Sequence, residues 1–220
     1  MTAAPDLLVP LRLGAQALGV LLSPQQEQTL LDYVAWIAKW NRVYNLTAVR
    51  DPHDMLVQHI LDSLAVVPAL RRHQAQSRLP SLKVLDVGAG AGLPGVVLAI
   101  ACPDVQVSCV DTVAKKALFI EQVAAALRLP NLQGIHARIE NLQEPYDVVT
   151  SRAFASLVDF TQWSAKSLAP HGVWMAMKGK HPEAELAQLP SHIEVFHVEP
   201  LQVAGLDAER CLIWLRPKQV

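Results

Sequence analysis

Leu82-Lys83-Val84-Leu85-Asp86-Val87-Gly88-Ala89-Gly90-Ala91-Gly92-Leu93-Pro94-Gly95 is the stretch that decides the fold. Val84-Leu85-Asp86-Val87 has the continuous apolar character of a strand in a parallel sheet buried on both faces. It breaks into four glycines within eight residues, and apolar residues resume from Val96 to Ala101 as a helix. Glycines at a strand-to-helix turn let backbone approach a ligand that a Cβ would push away. The helix start that follows is expected to offer free N–H groups to polar or anionic ligand atoms. This is the loop of a nucleotide-type cofactor.

Two cofactor patterns fit the loop at once. Gly90-x-Gly92-x-x-Gly95 matches the dinucleotide fingerprint. Asp86-x-Gly88-x-Gly90-x-Gly92 resembles the first motif of S-adenosylmethionine (SAM) methyltransferases. Asp86 favours SAM, because a carboxylate suits an ammonium and a cationic sulfonium but not a pyrophosphate. Asp111 follows about twenty residues past the loop, where an acidic side chain accepts hydrogen bonds from ribose hydroxyls. Both cofactors carry a ribose, and a carboxylate there also fits a helix cap. Ile139-Glu140 lies where an apolar side chain and a polar partner would flank adenine.

Around this stretch, the pattern alternates from Leu82 onward. Strands are predicted at 82–87, 105–110, 132–136, 146–150, 171–177, 192–198 and 210–216. Helices are predicted near 94–101, 113–128, 156–168 and 182–189, with a short crossover after 137. Such repeats indicate a doubly wound α/β sheet. Gly205-Leu206-Asp207 makes the last two strands an antiparallel pair, a seven-strand ending that suits methyltransferases better than a six-strand Rossmann sheet.

Residues 6 to 70 read as helical. Ser23-Pro24-Gln25-Gln26 supplies an N-cap, a proline at the first helical position and a capping-box glutamine. Leu30, Leu31, Val34, Ile37 and Ala38 follow at core spacing. Asp51-Pro52-His53-Asp54 opens a further helix with Met55, Leu56, Ile60, Leu64 and Val67 on one face, and 71–81 reads as a polar linker. The expected organisation is an N-terminal helical extension over 1–80 and a cofactor-binding domain over 81–220.

The 220 residues carry a net charge of −1, so no global field draws the chain onto nucleic acid. RNA contact must come from a local patch drawn from Arg42, Arg50, Arg71, Arg72, Arg152, Lys178 and Lys180. Cys102, Cys109 and Cys211 lack metal-ligand spacing and read as buried thiols of a reducing cytosol. No signal-peptide pattern and no apolar run of roughly 18 residues is present, so a cytoplasmic location is expected.

Several blocks together closely resemble the RsmG (GidB) family. They are Asp86 to Gly95, Ser151-Arg152-Ala153-Phe154-Ala155, Met177-Lys178-Gly179, Trp40-Asn41-Arg42-Val43-Tyr44-Asn45-Leu46-Thr47 and His59-Ile60-Leu61-Asp62-Ser63. The resemblance implies a class I SAM-dependent methyltransferase fold and methylation of guanine N7 in a decoding-region loop of 16S ribosomal RNA. It places Gly88, Leu93, Ile139, Glu140 and Arg152 at cofactor-binding positions. With the loop residues and Asp111, the expected SAM set is Asp86, Gly88, Gly90, Gly92, Leu93, Asp111, Ile139, Glu140 and Arg152. Arg152 and Lys178 are the expected catalytic residues, and Arg42, Asn45, His59 and Lys178 are expected to meet RNA. The expected partner is 16S rRNA within the 30S subunit or an assembly intermediate, met by a monomer.

The residues support this chemistry independently. Ser151-Arg152 ends a predicted strand at the carboxyl edge of the sheet, where doubly wound folds place their reactions. The Asn/Asp-Pro-Pro-aromatic motif that holds exocyclic amines is replaced by Ser-Arg-Ala-Phe. Guanine N7 has a free lone pair and no proton to lose, so it needs no such motif. A nicotinamide oxidoreductase, a small-molecule methyltransferase and a non-catalytic RNA-binding relative remain as alternatives.

Overall fold

The computed structural model describes residues 6–77, 79 and 81–218. Helices α1 (Leu8–Ala17) and α2 (Pro24–Tyr44) lead the chain. Next come α3 (Pro52–Met55), a π-helical turn (Leu56–Leu61), α4 (Asp62–Leu64) and α5 (Val67–Ser77). The α/β part runs β1 (Lys83–Val87), α6 (Gly95–Ala101), β2 (Gln106–Asp111), α7 (Ala114–Ala126) and β3 (Leu132–His136). A 3₁₀ turn (Ile139–Asn141) leads to β4 (Tyr146–Arg152), α8 (Leu157–Ser164), β5 (Leu168–Lys178), α9 (Glu183–Ala187), β6 (Ile193–Leu201) and β7 (Arg210–Pro217).

The seven strands form one sheet in the order β3-β2-β1-β4-β5-β7-β6. The first five pair in parallel, and β7 enters antiparallel between β5 and β6. The strand order reverses between β1 and β4, which leaves a crevice beyond their carboxyl ends. Alternation along each strand divides the core. Val84, Val148, Met175 and Leu212 face the N-terminal helices, α6 and α7, while Leu85, Val149, Trp174 and Ile213 face α8.

The N-terminal helices are built into that first layer. Ser23 and Gln26 form the predicted capping box, and the Gln26 amide also donates to the Ile100 and Ala101 carbonyls at the end of α6. Arg12 pairs side by side with the buried Glu27, which ties α1 to α2. Leu30, Val34 and Ile37 are buried as predicted, whereas Leu31 and Ala38 are only half-buried and Tyr33 takes an unpredicted central place.

Two expectations change. The polar stretch predicted as a linker over 71–81 continues α5 through Ser77, because Arg71 and Gln74 both reach Asp104 on one side of that helix. The predicted helix from Pro52 is not uniform. It widens to a π turn at Leu56–Leu61 and breaks at Ala65–Val66, yet Met55, Leu56, Ile60, Leu64 and Val67 are all buried. The three cysteines are buried thiols, and burial pushes Cys102 up to about 11.

Tyr33 carries the link from the helices to the glycine loop. Its fully buried hydroxyl donates to the Ala91 carbonyl, with Gly92 O at 3.3 Å. Tyr33→Phe should therefore destabilise the fold by about 1–3 kcal/mol, the cost of a buried carbonyl left without its donor. Urea denaturation checks this, and an unchanged midpoint would show that the loop holds its shape without the helix.

Candidate functional site

Two cavities open at the carboxyl edge of the sheet and meet at Gly88, which lines both. One, of about 500 Å³, is walled by Leu46, Thr47, Gln58, His59, Asp62, Gly90, Leu93, Arg152, Lys178 and Arg210 among others. The second, of about 400 Å³, is walled by Asp111, Val113, Lys116, Arg138, Ile139, Glu140, Phe154 and Trp163 among others. The Phe154 ring lies against Gly88 at the junction.

The glycine loop is shaped from behind. Gly88 and Ala89 N–H groups donate to the Val110 carbonyl at 2.9 and 3.2 Å, and Gly90 N–H donates to Asp111 Oδ2 at 3.0 Å. Gly90 has φ +61°, and a Cβ there would meet no heavy atom closer than 4.0 Å. Its side of the loop is therefore open cavity, a cradle that a side chain would fill. At Gly95 the constraint is contact. A Cβ would lie 2.2 Å from Cys109 Sγ and 2.9 Å from Asp86 Oδ2.

Asp86, expected at the cofactor, stands behind the loop and lines neither cavity. Its Oδ2 accepts the Gly95 N–H at 2.8 Å, and its buried Oδ1 has no partner among the described residues. Burial pushes this carboxyl up to about 7, against the pull of the Gly95 hydrogen bond and of Arg152. The start of α6 is likewise closed. Gly95, Val96 and Leu98 donate to Asp86, Gly92 and Pro94, so it does not offer the free N–H groups expected of it. Gly92, with φ +88°, shapes the turn and lines neither cavity.

Asp111 lies between the glycine loop and the start of α7. Its Oδ2 holds Gly90, its Oδ1 accepts the Val113 N–H at 2.8 Å beside the start of α7, and its carboxylate edges the second cavity. Ile139 is buried and Glu140 exposed on the opposite wall, an apolar and a polar partner side by side.

The first cavity is organised by an ion triad around the buried Asp62. Asp62 accepts from Arg152 Nη1 at 2.8 Å and from Arg210 Nε at 2.9 Å. Arg152 Nη1 also donates to Gln58 O, a carbonyl of the π turn, at 2.8 Å. Among the described residues, Arg152 Nε and Nη2 and Arg210 Nη2 have no hydrogen-bond partner. His59 Nε2 meets Thr47 Oγ1 at 2.8 Å, and its Nδ1 has no partner among the described residues. Burial, then the Arg152 charge, lowers the His59 pKa, so the ring is neutral at pH 7.

Lys178 also lines this cavity, but its ammonium is engaged. It donates to Ala155 O at 3.0 Å and to Glu185 Oε2 at 2.8 Å, and Glu185 accepts the Leu157 N–H. Lys178 thus ties the 152–157 loop to Glu185 while lining the first cavity. Asn45 and Arg42 lie outside both cavities. Asn45 ends α2 at φ 48° and accepts from Arg50, and Arg42 is exposed. Arg71 and Arg72 are tied to Asp104 and Glu199.

Sequence reasoning missed Arg210, Thr47, Phe154, Trp163 and Val113 as cavity walls. Arg210 meets Asp62 across 148 residues, and nothing local marks it. Phe154 lay inside a motif already singled out.

Residues 26–213 match the family model GidB, described as rRNA small subunit methyltransferase G. A ribosomal RNA small subunit methyltransferase G of Acidovorax sp. (strain JS42) is 64% identical over 212 residues, covering 94% of each chain. One of Polaromonas naphthalenivorans (strain CJ2) is 64% identical over 208 residues, again covering 94% of each. Among solved structures, TrmN from Thermus thermophilus is similar with TM-score 0.56 and 20% identity, covering 71% of this chain and 49% of that one. A SAM-dependent methyltransferase from Geobacter sulfurreducens in complex with S-adenosyl-L-homocysteine has TM-score 0.50 and 13% identity, covering 69% and 91%. These structural likenesses show a methyltransferase fold.

The Asp86 carboxyl gives a pH test. Its folded pKa of about 7 lies above the ordinary carboxylate value of 3.8, so the folded state holds the proton more tightly. The stability this confers is present at low pH and is lost as pH rises from about 4 through about 7, on the order of 4 kcal/mol in all. Asp86→Asn keeps an acceptor for Gly95 without that loss. It should exceed the wild type in stability by a margin that widens from pH 5 to pH 8. A margin independent of pH would show that Asp86 is ionised throughout.

Proposed function

From membership of the rRNA small subunit methyltransferase G (GidB) family, to which this chain belongs, we propose that it transfers the methyl group of SAM to N7 of a guanine in a loop of 16S rRNA. The observation that carries the reading is the pair of cavities joined over Gly88. One offers an apolar wall with Asp111 and Glu140, suited to adenosine. The other offers immobilised arginine donors beside a neutral imidazole, suited to a guanine. SAM fits these residues. The cradle at Gly90 is open on the cavity side, and SAM when bound supplies an electrophilic methyl group.

The residues then divide the work. Asp111 has further lone pairs that would accept from ribose hydroxyls, and Ile139 and Glu140 would flank the base. Gly88 and Gly90, which line the first cavity without side chains, would hold the methionine part of the cofactor there. Arg152, fixed by Asp62 and by Gln58 O, presents Nε and Nη2 to guanine O6 or a phosphate and leaves N7 free. Guanine offers O6 and N7 as adjacent acceptors, so a guanidinium that took both would block the nucleophile. Lys178, read from the sequence as a second gripping cation, instead positions the 152–157 loop.

No base is required. The reacting nitrogen has an available lone pair, and catalysis rests on alignment of N7, methyl carbon and sulfur. A lone His59 held neutral by burial is compatible with a packing and orienting role. The target edge is hidden in the deep groove of an RNA duplex, so the guanine should lie in a loop or a distorted helix.

We assign residues 81–220 to SAM and 1–80 to bracing the loop and meeting RNA. The substrate proposed is the 30S subunit or an assembly intermediate, the active form a monomer, and the compartment the cytoplasm. No helix among the described residues is long and apolar enough to cross a membrane.

RNA carrying 7-deazaguanine at the target deletes the nucleophile while keeping O6 and the pairing edge. Binding should survive and product should vanish. Single-turnover rates on normal RNA should be nearly flat from pH 7 to 8.5, where His59 is already neutral. Methylation of the deaza nucleotide, or a tenfold rise per pH unit, would remove N7 as the acceptor.

A further inference from the structure

The cations of this chain are unevenly used. Arg12, Arg71, Arg72, Lys83, Lys116, Arg152, Lys178, Arg210 and Arg216 each have a carboxylate within 4.0 Å. Lys39, Arg42, Arg50 and Lys115 have none among the described residues, as is also true of Arg128, Arg138, Lys166, Lys180 and Lys218, and these four lie on the last two turns of α2, the segment after it and the start of α7. Lys39 Nζ stands 5.3 Å over the Trp36 ring and Lys115 Nζ 5.3 Å over the Tyr44 ring. Arg50 donates to Asn41 O and Asn45 Oδ1 at the end of α2, and Arg42 is exposed on the last turn of the same helix.

Two large apolar side chains are exposed in the middle of this cluster, Val43 at 70% and Tyr44 at 43%. Tyr44 is rigidly backed. Its ring packs on Trp40 at 4.9 Å, and Trp40 packs edge-on against the buried Phe119 at 5.2 Å. The place is the rim of the site. Leu46 and Thr47, just beyond Tyr44, line the first cavity, and Val113 and Lys116, flanking Lys115, line the second.

We propose that Tyr44 is a stacking platform for a nucleobase next to the target guanine, with Lys39, Arg42, Arg50 and Lys115 taking the backbone phosphates on either side. This rests on the functional reading above and specifies where the single-stranded RNA runs. A braced aromatic ring and unpaired cations along a groove are what a single strand requires. Lys115 reaches the ring on a flexible stem, so a base displaces the ammonium from the ring face and leaves it free for a phosphate.

The test compares Tyr44→Ala, Tyr44→Phe and Lys115→Gln with the wild type, in binding to protein-free 16S rRNA and in KM and kcat on 30S subunits. Tyr44→Ala should weaken RNA binding and raise KM by about tenfold, the range of one lost base stack, with kcat and SAM affinity within twofold. Tyr44→Phe keeps the ring and should behave as wild type. Lys115→Gln changes no buried atom and carries the test if Tyr44→Ala does not fold. It should make the log–log salt slope of RNA binding shallower by about one unit. Arg216→Gln, which removes a cation paired with Glu194 on the far edge strand, should move neither quantity. The proposal is overturned by an unmoved KM in Tyr44→Ala, by a fall in SAM affinity that makes Tyr44 a support of the cofactor pocket, or by an equal effect of Arg216→Gln. It is also overturned if KM rises on 30S subunits while binding to protein-free rRNA is unchanged, since the patch would then meet a ribosomal protein. A wild type that binds SAM but methylates no 16S rRNA would sink the functional reading itself. Wild-type turnover with an indifferent Tyr44 would sink this surface alone.

Discussion

Asp62 holds the site together. Its side chain is 1% exposed, and it joins three segments that otherwise have little reason to meet: the end of the π turn, the end of β4 through Arg152 and the start of β7 through Arg210. A carboxylate in that position is stable only while both guanidiniums stay. Losing one partner of a buried pair costs about 3–5 kcal/mol, because an uncompensated charge is left behind. The π turn belongs to the same device. Its wider winding points Gln58 O at Arg152, so the guanidinium bridges the Asp62 side chain and a backbone carbonyl about one turn before it. The arginines are thereby fixed before any substrate arrives, and their remaining donors face the cavity.

The same economy of placement governs the glycine loop. Tyr33 from α2, Asp86 from β1 and Asp111 from β2 each hold it by a hydrogen bond from the rear or side. Three elements fix one loop, and the face toward the cavities is left open. Asp86 is the costly member, a buried carboxyl with one oxygen unpartnered among the described residues and its pKa raised by burial. Its Cβ and Oδ2 also lie where any side chain at position 95 would have to go, so Asp86 and Gly95 form one packing unit.

The 152–157 loop adds strain to this arrangement. Ala153 adopts φ +52°, a left-handed conformation that costs a residue with a Cβ about 1–2 kcal/mol. Lys178 and Glu185 offset it by pinning Ala155 and Leu157 on the far side. That bracing sets Arg152 toward one cavity and Phe154 toward the other. It also explains why a lysine at the end of β5 is inward and paired, where the pattern of the strand suggested a gripping charge.

The sequence by itself determined what depends on neighbours along the chain. The alternation of strands and helices, the antiparallel ending, the Ser23 capping box, the glycine loop with Asp86 and Asp111, and the family-specific blocks were all legible. Each is written within a few residues by periodicity, capping or turn chemistry. Tertiary structure alone decided what depends on residues far apart. Arg210 has no local signature, since its role exists only because β7 inserts between β5 and β6 and brings it to Asp62. The pattern places Asp86 and Lys178 at strand ends, and which groups their side chains engage follows from the partners that packing supplies. For Asp86 that partner is the Gly95 N–H, and for Lys178 it is Glu185. Which surface cations are free, likewise, is fixed by where the fold places the carboxylates. Charge counting along the chain gathered Arg42 and Arg50 with Arg71 and Arg72. Folding neutralised the second pair against Asp104 and Glu199, and it left the first at the end of α2 without a carboxylate partner among the described residues.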